Sequence, residues 1–242
     1  MIIAHRGART EAPENTLPAF QLALAQGADA IELDAKLTVD GHVVVFHDAN
    51  LDRTTNGTGP FSRRTLAELR ELDAGSSFSP KYRGEKIPLL EEVFDALGKK
   101  LLIHVELKNY TTPGDKLVER VCELVVNCGL EQHVVFSSFL ARNLKKARRL
   151  LPQVPRCILA GRRWMGAWAR SFGFAFGDYA ALHLFLADVD AREVQRVHRL
   201  NRQIRVYTVN KPEDMLQLKN WGVDGIFTDD PALAVRVLGR AA

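Results

Sequence analysis

The sequence predicts an α/β fold, a (β/α)8 TIM barrel with a small insertion after its second strand. Strand-like and helix-like stretches alternate eight times, and 242 residues is the length such a barrel takes. The competing arrangement is a doubly wound open sheet, and the first strand leads into none of the glycine-rich fingerprint of its dinucleotide-binding forms. Closure is a tertiary property, so the open sheet stands as the alternative.

The first strand, Ile2 to His5, stops at Arg6 and Gly7, where a glycine lets the backbone turn. Thr16 is placed as the cap of a helix whose apolar face is Leu17, Phe20, Ala23 and Leu24, with Gly27 at its end. The second strand covers 30–35. Asp40 and Gly41 then read as a hairpin turn into 43–48. The stretch 51–88 is rich in Gly, Ser, Thr and Pro and holds one helix near 65–72, so 39–88 is assigned as the insertion. After a helix at 90–97 the third strand spans 101–108, a helix 114–127, the fourth strand 133–138 and a helix 140–151. The fifth strand lies near 156–160, a helix near 163–171, and the sixth strand at 181–184. A helix over 190–201 leads to the seventh strand, 204–209. Pro212 opens a helix that Gly222 ends, the eighth strand is 225–228, and Pro231 opens the last helix. No shift of composition or Ser/Gly-rich linker marks a boundary, so 1–242 is read as one domain.

Hydrophobic residues at 46% and charged residues at 26% describe a globular chain, and no apolar run reaches the length of a membrane span. The amino terminus lacks the zones of a secretory signal, so a cytoplasmic location and no stable membrane insertion are expected. Cys122, Cys128 and Cys157 are odd in number and widely spaced, which suits buried thiols better than disulfides or zinc. A net charge of +4 permits anionic partners without indicating nucleic acid. Lys145, Lys146, Arg148 and Arg149, like Arg196, Arg199 and Arg202, read as solvated helix faces.

Side chains alternate along a strand, so Glu32 and Asp34 share a face that opposes Ile31, Leu33 and Ala35. The third strand repeats the pattern, with Leu102, His104, Glu106 and Lys108 together. If the apolar sets face the helices, Glu32, Asp34 and Glu106 converge at the barrel mouth. Carboxylates about 4 Å apart repel by roughly 4 kcal/mol at an effective dielectric near 20, so three need a counter-charge. One divalent cation, Mg²⁺ or Ca²⁺, suits an all-oxygen set; ion pairs with Arg6 and Lys108 are the alternative. With a cation and both basic residues the site carries about +1, which a phosphodiester monoanion neutralises. His5 and His47 each end a strand and titrate near neutral pH, one fit to take a proton and the other to give one. Strand alternation turns Asp48 away from His47 and toward Arg53. His104 is read as a satisfied interior histidine, and His183 is left unassigned.

These residues carry a resemblance. His5, Arg6 and Gly7, then Pro13 to Thr16, Glu32 and Asp34, Phe46 to Asp48, the run from Leu51 to Gly59, and Glu106 to Lys108 follow one another as in the glycerophosphodiester phosphodiesterase family. Asp73 to Gly75, Ile87 and Pro88, Leu90 to Val93, Tyr207 to Asn210 and Thr228 to Pro231 extend the likeness to the carboxyl end. The resemblance implies a TIM barrel that hydrolyses glycerophosphodiesters, as small-molecule substrates, to glycerol 3-phosphate and an alcohol. By matching position it implies His5 and His47 as the acid/base pair, Glu32, Asp34 and Glu106 as metal ligands, and Arg6, Asn15 and Lys108 around the phosphate.

Phe139 and Tyr207, near strand ends, are candidates to line the glycerol or leaving-group side. The least similar stretch is 156–202. Its Arg162 to Trp168 run is read as a helix packed by its aromatics, with an alcohol pocket or a lipid contact as alternatives. Two further functions stay open: a lysophospholipid-cleaving phosphodiesterase of the same superfamily, and a non-catalytic barrel that binds phosphodiesters.

Overall fold

A computed structural model describes residues 1–239. Arg240, Ala241 and Ala242, the end of the expected 1–242 domain, lie outside the described residues. Eight parallel strands form the barrel: β1 (Ile2–His5), β2 (Ala30–Leu37), β4 (Leu102–Leu107), β5 (Val134–Ser138), β6 (Arg156–Leu159), β7 (Ala181–Phe185), β8 (Gln203–Tyr207) and β9 (Gly225–Thr228). Between β2 and β4, β3 (Val43–Val45) runs antiparallel to the end of β2. β1 pairs with both β2 and β9, with Ile3 opposite Ala30 and Ile2 opposite Ile226, so the sheet closes. That closure removes the open-sheet alternative.

The helices are α1 (Leu17–Ala25), α2 (Leu66–Glu71), α3 (Leu90–Leu97), α4 (Leu117–Asn127), α5 (Ala141–Leu150), the short α6 (Phe174–Phe176), α7 (Ala191–Arg199), α8 (Pro212–Trp221) and α9 (Pro231–Leu238). The apolar strand positions pack outward under them, as alternation requires: Ile31, Leu33, Ala35, Ile103, Val105, Leu107 and Phe136 belong to one buried cluster with Phe20, Val93 and Val121. Burying each such Leu, Ile or Phe stabilises the fold by about 1.5–3 kcal/mol. The opposite positions fill the barrel, where Ile3, Ala30 and Phe227 make a small apolar layer.

Several local expectations are corrected. Thr16 makes no side-chain cap; its hydroxyl donates to the Pro13 carbonyl at 2.6 Å. β2 runs to Leu37 because Ala35, Lys36 and Leu37 pair with Val45, Val44 and Val43 around the turn at Gly41. The partner strand ends at Val45, short of the expected 48. The inserted segment has its own buried cluster of Val44, Phe46, Leu51, Phe61, Leu69, Ala74 and Ile87. The helix expected over 163–171 is broken: Arg163–Gly166 is a tight turn, Ala169–Gly173 is wide-wound, and Ser171 departs from helical geometry at φ −104°, ψ −107°. Its aromatics do not pack into the core, and Trp164 and Trp168 are 82% and 58% exposed.

Candidate active site

The carboxyl ends of the strands bring the chemistry together. Register sets His5 beside Glu32 and Asp34 beside Glu106. The chain then turns sharply: Arg6 and Asn15 have positive φ (61° and 58°), a conformation that costs a side-chain-bearing residue energy and recurs at functional sites. Between them Gly7, at φ 86°, sits so close to α1 that a Cβ would lie 2.6 Å from that of Ala19, so only glycine fits.

A cavity of about 310 Å³ opens at this end, within the usual range for a small-molecule site. One wall is His5, Arg6, Glu32, His47, Glu106 and Lys108; the other is apolar, with Phe139, Leu159, Phe185, Tyr207 and Phe227. Phe139 and Tyr207 thus line the cavity, their rings edge to face at 6.4 Å, and the Tyr207 hydroxyl donates to the Ala160 carbonyl at 2.7 Å. Asn15 does not line it. Its amide donates to Asp34 Oδ2 at 2.8 Å, so it bears on the site through that carboxylate.

Each cavity histidine is held by a carboxylate. His5 Nδ1 lies 2.8 Å from Asp229 Oδ1, and Asn210 donates to Asp229 Oδ2 at 2.8 Å. His47 Nδ1 lies 2.5 Å from Asp48 Oδ1, and Arg53 Nε lies 2.6 Å from Asp48 Oδ2. Asp48 therefore does both things between which the sequence reading chose. With β3 finished at Val45, strand alternation no longer governs residues 47 and 48. Burial pushes His47 below the usual histidine range, helped by Lys108 and Arg6 against the pull of Asp34. Burial raises the Asp48 carboxyl, but its bonds to Arg53 and His47 outweigh that and hold it at about 2.

Glu32, Asp34 and Glu106 each offer an oxygen within 4.8 Å of the others, so they could hold a metal ion. Charges at that separation repel by about 3.5 kcal/mol per pair at an effective dielectric near 20. Burial, then Asp34 and Glu106, push the Glu32 carboxyl well above its ordinary range, as expected of an oxygen cage short of positive charge. The chain supplies some of that charge. Lys108 Nζ is 3.2 Å from Asp34 Oδ1 and 3.4 Å from Glu106 Oε1, and Arg6 Nε is 3.3 Å from Asp34 Oδ2. Burial alone would lower the Lys108 ammonium; Asp34 and Glu106 reverse this and lift it to about 12.

Other site residues went unassigned in the sequence reading. Glu14 accepts from Arg6 at 2.9 Å and from Arg53 at 2.7 and 2.8 Å, with Arg9 at 3.4 Å. Burial raises its carboxyl, yet the arginines, Arg53 foremost, hold it at about 2. The Tyr110 hydroxyl donates to Glu106 Oε1 at 2.5 Å. Asp229 and Glu14 stand inside the motifs already quoted, so their positions were legible although their roles were not. Tyr110 gave no signal. His183 lines the cavity floor, while neither ring nitrogen of fully buried His104 meets a protein partner, which corrects the satisfied interior histidine. Burial, then Arg205, pushes both below the usual histidine range. Cys122 and Cys157 are buried, Cys128 partly so, and all three are free; burial lifts the Cys122 thiol to about 12.

Residues 5–233 match the model of the glycerophosphoryl diester phosphodiesterase family. The chain is 36% identical over 241 residues to a glycerophosphodiester phosphodiesterase of Caldanaerobacter subterraneus, covering 99% of this chain and 98% of that protein. The solved structure of an Oleispira antarctica phosphodiesterase in complex with the product sn-glycerol-3-phosphate superposes with a TM-score of 0.89 at 32% identity, over 99% of this chain and 96% of that one. A glycerophosphodiester phosphodiesterase structure from Agrobacterium tumefaciens gives 0.82 at 29% identity, over 97% and 98%.

Proposed function

Because the chain belongs to the glycerophosphoryl diester phosphodiesterase family and is itself a glycerophosphodiester phosphodiesterase, we propose that it hydrolyses these diesters to glycerol 3-phosphate and an alcohol by metal-dependent, two-histidine acid/base catalysis. One observation carries the reading. His5 and His47 face one cavity, and each has its Nδ1 engaged by a carboxylate, so Nε2 is the ring nitrogen left for the substrate.

The phosphate is taken between Arg6 and Lys108, whose charges meet its nonbridging oxygens, while Asn15 fixes Asp34 beneath them. Glu32, Asp34 and Glu106 would hold Mg²⁺ or Ca²⁺, which would supply Lewis-acid polarisation of a phosphoryl oxygen. One histidine takes the proton of the attacking oxygen, from water or the glycerol 2-hydroxyl, as the new P–O bond forms. The other gives a proton to the departing alcohol as the old bond breaks; attack by water yields glycerol 3-phosphate directly, and attack by the 2-hydroxyl yields a cyclic phosphate that a water molecule then opens. Burial, the first cause, holds His47 below the usual histidine range, and we assign it the accepting role. The aromatic wall with Phe139 and Tyr207 excludes water on the alcohol side. Residues 1–242 act as one catalytic domain. Three cysteines without a disulfide suit a reducing compartment, and we place the enzyme in the cytoplasm.

Glycerol 3-phosphate release from glycerophosphocholine by the wild type, His5→Ala and His47→Ala tests this. Each variant should turn over roughly 10²–10⁴-fold more slowly while remaining folded. Near-normal turnover removes that histidine from the mechanism. The exposed Trp164 and Trp168 favour a second reading, cleavage of lysophospholipids. Faster hydrolysis of a lysophospholipid above its micelle concentration than of glycerophosphocholine would put it first.

A further inference from the structure

Trp164, Trp168, Phe172 and Phe176 recur every fourth residue between β6 and β7. They are 82%, 58%, 71% and 84% exposed, and Met165 beside them 65%. Among the described residues, the other exposed large apolar side chains reach 63% at most and lie apart along the chain. The rings of Phe172 and Phe176 stack at 6.2 Å, which joins the last two members of the stripe.

The stripe is held facing outward. Gly166 folds so tightly that a Cβ would lie 2.0 Å from the Gly161 carbonyl oxygen, and Trp168 lies across Gly173. Asp188 accepts from the Arg163 amide at 2.8 Å and pairs with Arg170 at 3.0 Å. Arg196 donates to the Arg170 carbonyl at 2.5 Å and Arg202 to that of Phe174, so these two arginines brace the segment instead of forming the solvated face expected of them. On the inner side Ala169, Gly173 and Phe174 are buried. The stripe starts at the catalytic opening, since Leu159 and Arg162, just before it, line the cavity and Arg162 lies 3.8 Å over the Phe185 ring.

We propose that this stripe is an interfacial anchor that lays the flank of the barrel on an anionic lipid surface, with the catalytic mouth at the edge of the contact. Tryptophans next to arginines match the acyl–headgroup boundary, where the indole is half-buried and the guanidinium meets lipid phosphate. Exposed Arg162 and Arg163 at its start and the net charge of +4 supply the attraction. The proposal rests on the phosphodiesterase reading only in calling that mouth catalytic.

Full-length protein is sedimented with phosphatidylcholine vesicles and with phosphatidylcholine–phosphatidylglycerol vesicles, and its hydrolysis of soluble glycerophosphocholine is measured in parallel. The wild type should bind the anionic vesicles, less so at high salt. Trp164→Ser with Phe176→Ser should bind at least about 10-fold more weakly while its rate on the soluble diester stays unchanged. No vesicle binding by the wild type, or equal binding by the variant, overturns the anchor. So does a concentration-dependent dimer, dissolved by the variant, in protein that ignores vesicles, because the stripe is then covered by a second copy. Failure of the soluble assay alone would overturn the catalytic reading and leave the anchor standing.

Discussion

Replacing Glu14 by Gln should destabilise the protein in a pH-dependent way. The side chain is 9% exposed and is shared by Arg6, Arg9 and Arg53. Its carboxyl lies at about 2 instead of the ordinary 4.5. Because the folded value is depressed, the stabilisation is present above the unfolded value and is lost as pH falls toward the folded one. A displacement of this size corresponds to about 3 kcal/mol at pH 7, shrinking to roughly 1.5 kcal/mol at pH 3. Urea unfolding of both proteins at the two pH values measures it. Glu14→Gln should lose about 3 kcal/mol at pH 7 and close half that gap at pH 3. A loss under about 1 kcal/mol, or one equal at both pH values, would refute the role of Glu14 as the charged hub behind Arg6.

Asp48→Asn removes a bond that favours protonated His47. The acid limb of the pH–rate profile, read as His47 losing its proton, should move to lower pH with roughly tenfold slower turnover; a limb that stays or moves up contradicts the assignment. Glu106→Gln should weaken divalent-ion binding in calorimetry, and unchanged affinity would remove it from the ligand set. Because Glu32 is pushed well above its ordinary range, cation binding in mildly acidic buffer should release protons. Calorimetry in buffers of different ionisation heat reads that release, and buffer-independent heats would contradict it.

The barrel was legible because period-two patterning sent Ile31, Leu33 and Ala35 outward and Glu32 and Asp34 inward, and nothing but closure needed the third dimension. In the cavity wall Glu32, Glu106 and Lys108 were legible for the same reason, and His5, Arg6 and His47 because they stand at or just past strand ends. What escaped depends on backbone that leaves the ladder. The Asp48 contact to His47 follows a strand that stops at Val45, and Asn15 reaches Asp34 from a turn with positive φ. Tyr110 meets Glu106 from a loop just past β4. The segment beyond β6 was misread because Trp and Phe at helical spacing usually pack inward, and here the buried face consists of Ala169, Gly173 and Phe174.

The most direct test of metal-dependent catalysis is glycerol 3-phosphate release from glycerophosphocholine by metal-stripped protein, with and without added Mg²⁺ or Ca²⁺. The account predicts activity only when a divalent ion is restored. Full activity in the stripped protein, or silence with every ion, would contradict it.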